Sequence, residues 1–138
     1  MTADKKSKCV FVIDDTLPAG LAANTAAVLA TALSCKVEGL VGWDVADAEG
    51  CVHPAITRVP FPMLKARSEE LARLHAQANG QNGVLVAGFS ETAQRSRSYD
   101  EYAVRLGGVT SDNMRYLGLV LFGERGCISR LTGHLELM

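Results

Sequence analysis

The chain has 138 residues, 48% of them hydrophobic and 21% charged, and a formal net charge of -1 at pH 7. This length and apolar content suit a single domain over residues 1–138 with one real core, with residues 1–7 expected as a flexible lead. The balanced charge lacks the basic footprint of a nucleic-acid binder, and no apolar run approaches the ~20 residues needed to span a membrane.

Cys9 to Ile13 is a continuous β-branched and aromatic run, the pattern of a strand buried on both faces. Asp14, Asp15 and Thr16 end it, and Pro18 suits the opening of a helix over Ala19 to Leu33 that the upstream polar residues are placed to cap. That helix is built from Ala, Leu, Val and Thr, with Asn24 as its one fully polar side chain, so it has almost no solvent face. Such a helix needs cover on most sides, either from later helices or from a second copy of the chain.

Val37 to Val45 and Cys51 to His53 flank the turn-forming Asp47-Ala48-Glu49-Gly50 and read as a small hairpin, with Trp43 as a pinning aromatic near the surface. Ile56 to Lys65 reads as an extended segment confined to a sheet edge by Pro60 and Pro62, which cannot donate to a ladder. Ser68 opens a helix with Leu71, Leu74 and Ala78 on one stripe, stopped at Asn79-Gly80.

Val84 to Phe89 is a second buried-type strand, followed by a polar run from Ser90 to Ser98. Ser98 and Glu101 have the spacing of a capping box for a short helix that stops at Gly107-Gly108. Tyr116 to Phe122 is a third apolar strand, and Ile128, Leu131 and Leu135 have helical spacing through Gly133. The sum is an α/β fold with helices on both faces of a small sheet.

Cys9, Cys35, Cys51 and Cys127 are scattered and form no C-x-x-C, which reads as reduced structural thiols and a cytoplasmic location. His53, His75 and His134 show no i, i+4 pairing with one another, nor with Cys at zinc spacing, so no metal is expected. Without a P-loop, G-x-G-x-x-G or G-x-S-x-G, no cofactor is expected either. Arg95, Arg97, Arg105 and Arg115, with Tyr99 and Tyr102 interleaved, admit two readings, a local anionic-ligand patch and a solvated helix face with the tyrosines turned inward, and the second is preferred.

Three segments in this order, GLAANTAAVLATAL after the acidic turn, YDEYAVRL, and YLGLVLFGERGCISRLTGHLEL, resemble the uncharacterised bacterial family called domain of unknown function two thousand, which is related to peptidyl-tRNA hydrolase II. The ending Leu131-Thr132-Gly133-His134-Leu135 is similar to the V-T-G-x-L-K-L close of those hydrolases. The resemblance implies a three-layer α/β/α fold around a mixed four-stranded sheet, ordered 2-1-4-3 with the last strand antiparallel, and a homo-oligomer, with a dimer favoured. It does not carry the activity with it. The hydrolases open their first helix with G-K-x-x-A-Q-x-x-H, and counting from Gly20 the Lys, Gln and His positions hold Leu21, Thr25 and Val28. Their D-A-G after the third strand is Val86-Ala87-Gly88. A site that polarises an ester does not keep its rate after losing a cation, a base and an acid together.

In open α/β sheets, ligands bind beyond the carboxyl ends of the parallel strands. That rule makes Asp14, Asp15 and Thr16, with Asn24, Ser90, Thr92 and Gln94, the candidate ligand-binding residues, and Asn24 the best single candidate. Each also has an ordinary structural reading: Asp14 and Asp15 as turn and cap residues, Asn24 as a buried amide, and Ser90 to Gln94 as a solvated loop. The expected function is small-ligand or partner binding by a homo-oligomer. The alternatives are a hydrolase using Asp15, Asn24 and Thr92, and a purely structural assembly partner.

Overall fold

The computed structural model describes residues 1–138. In chain order the elements are β1 (Ser7–Asp14), α1 (Ala19–Lys36), β2 (Val45–Ala46), β3 (Val52–His53), β4 (Met63–Ala66), α2 (Ser68–Asn79), β5 (Leu85–Ser90), α3 (Glu91–Arg95), α4 (Tyr99–Leu106), a 3-10 turn (Ser111–Asn113), β6 (Tyr116–Glu124), α5 (Arg125–Thr132) and β7 (Glu136–Leu137). The main sheet runs β5-β6-β1-β4-β7, and β2 and β3 form a separate two-stranded sheet. β1 is parallel to β4 and antiparallel to β6, which is also antiparallel to β5.

β1 lies at the centre because its residues alternate between two apolar layers. Cys9, Phe11 and Ile13 pack with Leu29, Leu33 and Phe122 on the α1 side. Val10 and Val12 pack with Leu71, Leu74, Ile128 and Leu131 of α2 and α5 on the other. The period-2 alternation of a strand with both faces covered therefore leaves no polar position between Cys9 and Ile13. The same burial pushes the Cys9 thiol up to about 12, so it stays protonated and unreactive.

Two expectations for the sheet are corrected. It has five strands rather than four, because the closing helix stops at Gly133 and the chain turns back to pair β7 against β4, Leu64 opposite Leu137. For the same reason the β4 segment is not an edge strand. Pro60 and Pro62 precede Met63, so they leave the ladder free, and the Pro62 carbonyl accepts from Phe11 N at 3.0 Å. The lead at residues 1–6, expected to be flexible, is tied to the end of α1 through Ala3 N to Glu38 O at 2.8 Å and Glu38 N to Met1 O at 2.7 Å.

The hairpin forms as the turn residues imply, and Ser98 accepts from Glu101 N at 3.1 Å to cap α4. The polar run after β5 is not a loop throughout, since Ser90 caps α3 by accepting from Ala93 N. Of the two tyrosines expected inward, Tyr102 is half-buried and Tyr99 is 80% exposed.

α1 sits close against the sheet at Gly118 of β6. A Cβ there would lie 2.6 Å from the Thr25 methyl, 3.0 Å from Ile13 Cδ1 and 3.2 Å from Leu29 Cδ1. Gly118→Ala is therefore expected to destabilise the fold by about 1–3 kcal/mol through overpacking. Urea denaturation should show a lower midpoint at unchanged slope. An unchanged midpoint would mean that α1 can lift from the sheet at little cost.

Candidate functional site

β1 and β4 run parallel and end together, with the Asp15 amide donating to the Ala66 carbonyl at 3.0 Å. Past that point the chain leaves in two directions, toward α1 from Thr16 and into α2 from Arg67. The divergence opens a cleft of about 720 Å³ lined by Asp14, Asp15, Thr16, Arg67, Ser68, Glu69 and Arg115. It is the crevice at the carboxyl ends of parallel strands that α/β sheets commonly use for ligands.

Asp14 forms its floor. As the last residue of a strand covered on both faces it is only 1% exposed, an expensive place for a carboxylate. Its Oδ1 accepts from Thr16 N at 2.9 Å and from Thr16 Oγ1 at 2.7 Å. Its Oδ2 accepts from nothing. The cation facing that oxygen is Arg115, whose Nη2 lies 4.0 Å away, beyond hydrogen-bond reach.

Arg115 is placed by its neighbours. Its carbonyl accepts from Glu91 N at 2.9 Å, and its Nη1 lies 3.5 Å from Glu91 Oε2. The next residue, Tyr116, stacks on His75 of α2 at 4.5 Å between ring centroids. Tyr116 also covers Gly88 of β5, where a Cβ would come within 2.6 Å of the tyrosine ring. Burial holds the His75 imidazole below its usual range, keeping that stack neutral at pH 7.

The opposite wall is the start of α2. No side chain caps this helix, and its first residues, Ser68 and Glu69, border the cleft. Its first-turn amides and the Arg67 guanidinium bring positive charge to that wall, and the Glu69 carboxylate on the same turn offsets part of it. A smaller depression of about 280 Å³ shares Asp15 and Arg67 and reaches His134, whose Nε2 is 2.7 Å from Glu70 Oε1.

The sequence-derived candidates separate on this geometry. Asp14, Asp15 and Thr16 line the cleft. The acidic turn does not cap α1, because Asp14 bonds Thr16 and Pro18 occupies the cap position without a side-chain bond. Ser90 is buried as the α3 cap, while Thr92 and Gln94 lie outside the cleft. Asn24 is exposed on the outer face of α1, where the expectation was a buried amide or a ligand contact. Arg67, Ser68 and Glu69 have no place among the candidates, and Arg115 figures there only in the less favoured anionic-patch reading. A signal existed for them: Arg67-Ser68 sits at a strand-to-helix junction, and Arg115 directly precedes an apolar strand.

The hydrolase-like positions on α1 hold no polar cluster. Thr25 Oγ1 is spent on the Leu21 carbonyl at 2.8 Å, Leu21 packs against the core, and Val28 is partly exposed. Arg95 and Arg105 pair with Glu91 and Glu101 along their own helices, as a solvated face would.

A family model described as protein of unknown function (DUF2000) matches residues 7–138. The chain belongs to that family. Among solved structures, this DUF2000 chain is similar to a protein of unknown function from Agrobacterium tumefaciens strain C58, Atu0240, with a TM-score of 0.89 at 16% sequence identity, over 96% of this chain and 98% of that one. At that identity the likeness establishes the shared fold. No curated protein matches the chain.

Asp14→Ala removes the acceptor of two hydrogen bonds and is expected to cost about 1–2 kcal/mol, whereas Asp14→Asn keeps an oxygen for Thr16 and should cost less. Denaturant unfolding of both variants checks the order. Equal losses would show that the Thr16 bonds contribute nothing.

Proposed function

We propose that this DUF2000 protein binds a small polar ligand in the cleft at the ends of β1 and β4, and that binding rather than ester hydrolysis is its function. The observation that supports this reading is the Asp14 Oδ2, buried, without a hydrogen-bond partner, and at the floor of a cleft lined only by polar side chains. A buried acceptor left open in the free protein calls for a donor on the ligand. Arg67, Arg115 and the uncapped α2 terminus call for an anionic group. The ligand is therefore amphoteric, with an ammonium or similar donor directed at Asp14 and a carboxylate or phosphate between the arginines.

Titration with free α-amino acids, each beside its decarboxylated amine and its N-acetyl derivative, tests this by NMR shift and thermal stabilisation. At least one intact zwitterion should bind, and Asp14→Asn should weaken it tenfold or more, as loss of a charge-assisted bond does. Absence of any binding, or equal binding by Asp14→Asn, overturns the reading. So does catalytic cleavage of an N-acyl-aminoacyl-tRNA, which would restore the relationship to peptidyl-tRNA hydrolase II as one of function.

The same reading takes the protein as a dimer through the outer side of α1. The later helices leave this face open, and beyond it Ala30, Thr31 and Cys35 border a depression of about 480 Å³ shared with Val41, Ile56 and Phe61. Ile56 is 79% exposed there and Val41 46%, a grouping that favours burial against a second copy. Light scattering should give twice the 14.7 kDa chain mass, and Ile56→Asp should return it to one. A wild-type monomer sinks the dimer and leaves the ligand cleft untouched.

A further inference from the structure

The β2–β3 hairpin lies outside the main sheet and outside the cleft, yet its exposed polar side chains are hydrogen-bonded to one another and to the loop backbone. Its loop runs Asp47 to Cys51 and closes with Gly50 at φ 81°, a left-handed conformation open to glycine. Asp47 N donates to the Cys51 carbonyl at 2.9 Å, and Gly50 N to the Asp47 carbonyl at 3.0 Å. The Asp47 Oδ1 accepts from Glu49 N and Cys51 N at 2.9 and 3.0 Å. Its other oxygen, Oδ2, lies 3.0 Å from His53 Nε2.

Cys51 and His53 are two residues apart on an extended segment, so their side chains leave the same side of the hairpin. Their ligand atoms and that of Asp47 lie within 4.8 Å of one another. Three chemically different donors, a thiol, an imidazole and a carboxylate, thus converge without help from the rest of the protein.

We propose that Asp47, Cys51 and His53 form a binding site for a borderline-soft divalent cation of the zinc class, with the remaining position open to water or an exogenous ligand. The donor set decides the class. A thiolate and an imidazole suit Zn²⁺ or Co²⁺, whereas Ca²⁺ and Mg²⁺ require oxygen ligands. Three protein ligands are the number that tetrahedral zinc keeps when its fourth position is open.

The loop prepares the site. The two amides on Oδ1 fix the Asp47 carboxylate and leave Oδ2 to the metal, which is how outer hydrogen bonds orient ligating carboxylates. His53 and these amides also hold the Asp47 carboxyl below its usual range, so it is ionised. On binding, the Cys51 thiol gives its proton to solvent, the proton on His53 Nε2 is exchanged through solvent to Nδ1 so that Nε2 has a free lone pair, and the metal replaces the His53–Asp47 hydrogen bond with two coordinate bonds. The cation charge is then met by one thiolate and one carboxylate. The structure gives the hairpin few other reasons for its composition, since Val45, Val52 and His53 are all exposed.

Titration of the reduced full chain with Co²⁺, followed by its visible and near-ultraviolet absorption, tests the site directly. One equivalent should produce tetrahedral ligand-field bands together with a thiolate-to-metal charge-transfer band, both removed by competing Zn²⁺. Cys51→Ser should abolish the charge-transfer band, and His53→Ala and Asp47→Asn should each weaken binding by about tenfold or more. Cys35→Ser, at another exposed thiol, should change neither. Absence of the bands in wild type overturns the proposal, and so does a charge-transfer band that survives Cys51→Ser. Circular dichroism and an unchanged thermal unfolding midpoint of each metal-free variant keep unfolding from passing as loss of metal.

Discussion

The structure depends on covering both faces of one strand. β1 supplies apolar side chains alternately to the α1 layer and to the α2–α5 layer, and neither layer closes without it. From this follow the central place of β6, whose Leu119 and Leu121 face one layer while Val120 and Phe122 face the other, and the need for Gly118 where α1 comes closest. It also explains the site. The strand that is most completely enclosed delivers its final residue, Asp14, to the bottom of a cleft, so a charged group is carried deeper than a loop could hold it.

Much of this was legible in the residues themselves. The unbroken Cys9–Ile13 run announced a doubly covered strand, Ser98 with Glu101 announced a capped helix, and the Asp47–Gly50 turn announced the hairpin. The order of the four long strands is the one the family resemblance implied, within a sheet that gains β7. What escaped was whatever a single side chain decides by distant contact. Pro60 and Pro62 look prohibitive along the chain, but the strand begins only at Met63, after both of them, which makes them harmless. Helical spacing carried Leu135 past Gly133, although pairing with β4 was worth more to the closing residues than another turn of helix.

The site shows the same division. Asp14, Asp15 and Thr16 were found because a strand end is a local feature. Arg115 was read as part of a solvated face because nothing near it in the chain reveals that β6 returns beside β1, bringing it opposite Asp14. Asn24 was favoured for being the lone polar residue on α1, and it is exposed because α1 has an outer face that no later helix covers. The hairpin cluster escaped for a different reason: the i, i+4 spacing of His with His or Cys belongs to a helix, whereas Cys51 and His53 alternate along an extended segment and come near Asp47 across its turn.

The protonated thiol of Cys9 separates it from the rest of the molecule's sulfur chemistry. Cys35 and Cys51 stand at the surface and Cys127 is partly accessible, so reagents that seek thiolates meet them in the folded state. Cys9 meets such reagents only when the α1 layer that covers it lifts from the sheet. Its alkylation therefore keeps time with the opening of that layer, and the chain contains its own clock for how often α1 leaves the sheet.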